Sequence, residues 1–102
     1  MNIIDKVYDI TEELPGNERF GISTQMTRCA VSIPSIAEGS AKKSAKDYVR
    51  YLEIFLGSAF ELETQSLVIQ RRGWIGESQI NELIEMVRVE QKMLQSFIQK
   101  IG

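Results

Sequence analysis

The chain has 102 residues, 43% of them apolar and 25% charged, which bounds it to one domain, residues 1–102, with an ordinary hydrophobic core. A net charge of -2 and a pI near 5.2 exclude a global electrostatic pull toward nucleic acid or anionic membrane, so any such binding needs a local patch. Histidine is absent, which excludes Ser-His and Cys-His pairs and the Glu-x-x-His motif of di-iron bundles.

The single cysteine, Cys29, has no partner for an intramolecular disulfide, and a reducing cytoplasm is the expected compartment. Acids interrupt the apolar pattern of the N-terminal stretch, so it does not read as a signal peptide. No run approaches the ~20 apolar residues of a membrane span, and a soluble protein without membrane attachment is expected. With two prolines and no period-two alternation, the pattern is all-α.

Asn2 to Leu14 form the first predicted helix, with Ile3, Val7, Ile10 and Leu14 on one side and Asp5, Lys6, Asp9, Glu12 and Glu13 on the other. Pro15-Gly16-Asn17 ends it. The second helix is expected from Ser23 to Glu38, with Ser23 or Thr24 as N-cap and Gly39 as its stop. Its inward line is Ile22, Met26, Cys29 or Ala30, Ile33 and Ala37. Pro34 inside that pattern predicts a kink or break, because it removes a backbone donor and crowds the Ala30 carbonyl.

After the linker Ser40-Ala41-Lys42-Lys43, one unbroken helix is predicted from Ser44 to Arg72, with Ser44 and Asp47 as a capping-box-like start. At ~1.5 Å per residue it is roughly 40 Å long, and the rest of the chain has to cover it. Its seam is Tyr48, Leu52, Phe55, Ala59, Leu62, Ser66 and Ile69. A second apolar line, Val49, Leu56, Phe60 and Leu67, exceeds what one edge helix buries and marks candidate oligomer-interface residues. The first helix covers less than half of this length, so either further N-terminal turns or a neighbouring subunit must cover the remainder.

Gly73 and Trp74 read as a Schellman stop, with Arg71 and Arg72 complementing the helix dipole. Gly76 reads as N-cap of the last helix, with an Ile75 to Ile80 staple. That helix runs to about Lys100 on the seam Ile80, Leu83 or Ile84, Val87, Gln91, Leu94, Phe97 or Ile98, and Ile101. Short links between helices give an antiparallel up-down-up-down four-helix bundle in which helices three and four are the long pair.

The stretch from Gln25 to Gly39, with its Ser32-Ile33-Pro34-Ser35 and Ile36-Ala37-Glu38-Gly39 runs, resembles the 23S rRNA-intervening sequence protein family, as does Gly57-Ser58-Ala59-Phe60-Glu61-Leu62-Glu63. Leu14-Pro15 and Glu18-Arg19-Phe20-Gly21 match that family's first turn, and the resemblance extends from Asp5 onward. It implies a small bacterial four-helix bundle that self-assembles, with a ring-shaped pentamer as the first expectation; a dimer is the fallback because twofold assemblies are commonest. Relatives include an accessory protein of diversity-generating retroelements, which works with a reverse transcriptase and RNA. Two departures stand out: the Asn usual between the residues matching Ser35 and Ile36 is missing, and the first helix is shorter.

Candidate chemistry is sparse. Glu61 and Glu63 point about 200° apart on one helix and form no carboxylate pair, and Glu63 reads as a solvated face residue. Gly57 costs ~1 kcal/mol in mid-helix and predicts a close backbone approach. Arg28, Ser32 and Glu61 are candidates for a structural polar network if helix two comes near, against the plainer reading of separate surface charges. Lys42, Lys43, Lys46 and Arg50 form a modest basic cluster, read first as a solvated face; repeated around a ring it becomes a nucleic-acid-binding candidate. No metal, cofactor or catalytic residue is expected. The sequence favours a non-enzymatic self-assembling scaffold or adaptor, with an RNA- or DNA-binding accessory protein as the alternative.

Overall fold

The computed structural model describes residues 2–16, 19–32 and 45–101, with side chains described for 2–16, 21–31 and 47–100. Among these residues there are four α-helices and no strand: α1 (Ile3–Glu12), α2 (Thr24–Ser32), α3 (Ala45–Arg72) and α4 (Glu77–Ile101). The molecule measures 43 × 21 × 20 Å, its long dimension close to the ~42 Å expected for the 28 residues of α3.

Local chemistry sets the helix ends. Asn2 caps α1 by accepting a 2.9 Å hydrogen bond from the Asp5 backbone N–H. Gly73 takes the left-handed conformation (φ 68°), with its N–H on the Gln70 carbonyl and the Trp74 N–H on the Ile69 carbonyl, the two bonds of a Schellman stop. Ile75 and Ile80 are both buried across the start of α4, where the Ile80 N–H bonds the Gly76 carbonyl. The start of α2 differs from expectation. The chain is already helical from Arg19 to Ser23 in π geometry, so neither Ser23 nor Thr24 caps α2.

Cross-helix contacts fix the directions. Lys6 reaches Glu82 and Glu13 meets Gln79, so α1 runs antiparallel to α4. Glu63 meets Arg88 and Gln70 meets Asn81, so α4 runs antiparallel to α3. Cys29 meets Glu61 and Gln25 meets Gln65, so α3 runs antiparallel to α2. The result is an up-down-up-down bundle in which each helix packs on its neighbours in sequence and α4 returns to α1.

The core follows the predicted seams. Leu52, Phe55, Ala59, Leu62, Ser66 and Ile69 of α3 are buried, and so are Ile80, Leu83, Ile84, Val87, Gln91 and Leu94 of α4. Ser66 tolerates full burial because its Oγ donates to the Leu62 carbonyl at 2.7 Å. Ile98, not the exposed Phe97, continues the α4 seam. Met26, Cys29 and Ala30 bury the inner face of α2.

Lys6 departs from expectation: its side chain is 9% exposed, against the α4 flank, with Nζ 2.9 Å from the Glu82 carboxylate. Its apolar stem covers core surface while the ammonium finds a partner at the rim. The expectations for Ile33, Pro34, Ala37, Gly39, the Ser40–Lys43 linker and the Ser44 cap lie outside the described residues.

Candidate functional site

Of the expected polar network, the partner of Glu61 lies one residue away from where the sequence placed it. The group that meets the Glu61 carboxylate is the Cys29 thiol, which donates to Oε2 at 3.5 Å. Arg28, the expected partner, is exposed beside it. Burial pushes the Cys29 thiol up to about 11; the adjacent Glu61 carboxylate adds to the rise and the Arg28 charge opposes it. The thiol therefore stays protonated at neutral pH. Ser32's side chain lies outside the described residues.

Glu63 is not the solvated residue its position implied. Its side chain is 19% exposed, and its carboxylate accepts from Arg88 Nε at 2.8 Å and from Gln91 Nε2 at 2.9 Å. Gln91, buried on the α4 seam, also points Nε2 at the Ala59 carbonyl. The hydrogen bonds from Arg88 and then Gln91 hold the Glu63 carboxyl below the usual range, against a smaller opposing effect of burial. This layer pins the register of α3 against α4. The Gln at a seam position was the available signal, since a buried amide needs a partner.

The expected close approach at Gly57 is not made within the chain. A Cβ built there meets nothing within 4 Å, and the residue is exposed. Of the second apolar line on α3, Leu56 packs partly on the core and Val49 is half-buried, while Phe60 and Leu67 remain exposed at 44% and 38%.

A further apolar stripe was not foreseen. Val89, Met93 and Phe97 of α4 are 55%, 48% and 42% exposed and succeed one another every four residues. They continue a line that α1 covers nearer the hairpin turn. Val89 lies two turns past Glu82, and Met93 four turns past Gln79, the two positions that α1 contacts through Lys6 and Glu13. α1 begins at Ile3, about one turn before Lys6, and the rest of the line is bare. Glu90, on the same flank of α4, is half-buried, and burial pushes its carboxyl above the ordinary range.

Of the basic cluster, Arg50 is exposed on α3; Lys42 and Lys43, and the side chain of Lys46, lie outside the described residues. A groove of about 190 Å³ runs between α3 and α4 beside Leu67, Gln70, Asn81 and Arg88, smaller than the ~300–1,000 Å³ typical of small-molecule sites. Among the described residues no three acids or thiols are grouped to hold a metal. No described helix is long and apolar enough to cross a membrane.

The family profile described as 23S rRNA-intervening sequence protein matches residues 1–96. The chain belongs to that family. No curated protein matches it closely. Membership agrees with the all-α bundle, and the matched span includes every polar and apolar feature above except Phe97 and the end of α4.

Proposed function

We propose that this family member is a non-enzymatic, self-assembling helical scaffold or adaptor whose working form is a homo-oligomer. The observation that carries the reading is the pair of uncovered apolar stripes: Phe60 and Leu67 on α3, and Val89, Met93 and Phe97 on α4. Scattered exposed apolar residues are ordinary; stripes repeating along long helices mark contact surfaces. A closed ring hides such stripes on every subunit, with five subunits the first expectation and a dimer the second. A band of repeated basic patches including Arg50 is a secondary property of such a ring. Nucleic acid bound there is expected to dissociate as salt rises and to lack sequence preference.

Light scattering at micromolar concentration tests the reading. The expected mass is a multiple of the 11.6 kDa subunit. A monomeric mass with full helicity would overturn the scaffold and the band of charge together.

A further inference from the structure

The groove between α3 and α4 changes chemistry along its length. Its middle is apolar: Ile84 is buried at the floor, and Leu67 stands opposite it on α3, midway between the Gln70–Asn81 and Glu63–Arg88 contacts. At one end Arg88 is held by its Nε, which donates to Glu63 at 2.8 Å, and Glu63 is held in turn by Gln91. The guanidinium is thereby fixed in place, and its Nη groups remain for a ligand, in the fork geometry that grips a carboxylate. Glu85, one turn before Arg88, lines the same wall and is ion-paired with no described residue. At the far end Gln70 Nε2 donates to Asn81 Oδ1, which leaves the Gln70 carbonyl oxygen as an acceptor and the Asn81 amide nitrogen as a donor.

This lining excludes several occupants. Arg88 is the one cation among the lining residues and has Glu85 beside it, which disfavours a phosphate backbone. A metal ion would meet one free carboxylate next to a fixed positive charge. A volume of about 190 Å³ holds one side chain and the backbone around it, so a ligand needs contacts that continue along the surface.

The spacing fits the end of a peptide. Arg88 and Asn81 are seven residues apart on α4, about 10 Å, the span of three residues of extended chain at ~3.3 Å each. Ile84 is four residues from Arg88, about 6 Å, so the group on the guanidinium and the group on the floor must come from neighbouring atoms. A C-terminal residue carries a carboxylate and a side chain on one Cα. An internal acid uses its side chain for the charge and leaves the floor empty. In an extended chain the preceding side chain points away from the floor, where a long basic one reaches the exposed carboxylate of Glu85. The peptide group further back offers the donor and acceptor that Gln70 and Asn81 lack.

Deepening the adaptor part of the proposed function and resting on it, we infer that the groove captures the C-terminal tail of a client protein. The tail carboxylate pairs with Arg88, its apolar last side chain sits on Leu67 and Ile84, a basic side chain before it meets Glu85, and its backbone bonds Gln70 and Asn81.

Fluorescence anisotropy with a dye-labelled peptide ending Ala-Lys-Leu tests this on the full chain, with light scattering on the same samples. The free acid is expected to bind saturably at one peptide per subunit, and the C-terminal amide about tenfold or more weaker. Arg88→Gln should weaken the acid to the level of the amide and leave the amide unchanged. Glu85→Gln, an exposed substitution that the fold tolerates, should weaken the lysine peptide and spare its alanine counterpart. A variant that had merely lost structure would weaken every peptide alike. Leu67 also belongs to the exposed stripe on α3, so the mass is read with and without peptide. Equal binding of acid and amide, no saturable binding, or binding only as the oligomer falls apart overturns the capture and leaves self-assembly standing. A subunit mass without peptide, with the acid still preferred, overturns self-assembly and leaves the capture standing.

Discussion

The α3–α4 hairpin is the same motif along its whole length, yet its two ends have different surroundings. Near the Gly73 turn, α1 and α2 close over it: Val7, Ile10, Leu14, Met26 and Ile69 are buried, and Lys6 and Glu13 tie α1 to α4. Toward the other end the inner seam is still filled by Phe55 and Leu94, but the α1 side of α4 carries bare Val89, Met93 and Phe97. Burial at the turn end answers the needs of a single folded chain. The half-exposed residues at the other end gain less from folding of the described residues, because the stabilisation scales with the apolar area removed from water.

Substitutions should separate the ends. The largest effect belongs to the turn end: Leu83→Ala, fully buried between helices, is expected to cost about 2–5 kcal/mol in denaturant unfolding. Glu63→Ala comes next, at about 1–3 kcal/mol, since it leaves the buried Gln91 Nε2 with only the longer bond to the Ala59 carbonyl and removes the partner of Arg88. The same contact carries a pH dependence. The Glu63 carboxyl is depressed in the folded state, so its stabilisation is complete above the unfolded carboxylate range, near ~4.3, and is lost as pH falls through the folded value. Acid titration of Glu63→Gln should therefore be flatter than wild type below about pH 4.

At the open surface the signs reverse. Gly57→Ala is expected to stabilise the subunit by about 0.5–1 kcal/mol in denaturant unfolding, because alanine is the better helix former and no atom stands in its way. The smallest effect on the isolated subunit is Met93→Lys, within about 0.5 kcal/mol by thermal unfolding at a concentration where assembly is absent.

The helices and their seams were legible because both long helices repeat their apolar residues at three- and four-residue steps and are bracketed by recognisable caps, Gly73 with Trp74 and Gly76 with Ile75. The polar contacts were legible only in part. Lys6 and Glu63 fall on polar positions of amphipathic helices, and their burial depends on where α4 passes, a distance that periodicity does not encode. Charge complementarity pointed to Arg28 as the partner of Glu61, whereas the one-residue step along α2 puts Cys29 against α3 instead. The α4 stripe was missed because the reading followed the single seam from Ile80 to Ile101, on which Val89 and Met93 do not fall, and their exposure depends on which part of α4 the α1 helix covers.

The most direct test of the central claim, that the open surfaces of α3 and α4 are assembly faces, is the solution mass of wild type beside Met93→Lys at equal micromolar concentration. The account predicts a wild-type mass several times 11.6 kDa and a fall to 11.6 kDa in Met93→Lys with unchanged helical circular dichroism. A wild type already at subunit mass, or a Met93→Lys variant that assembles as wild type does, would contradict it.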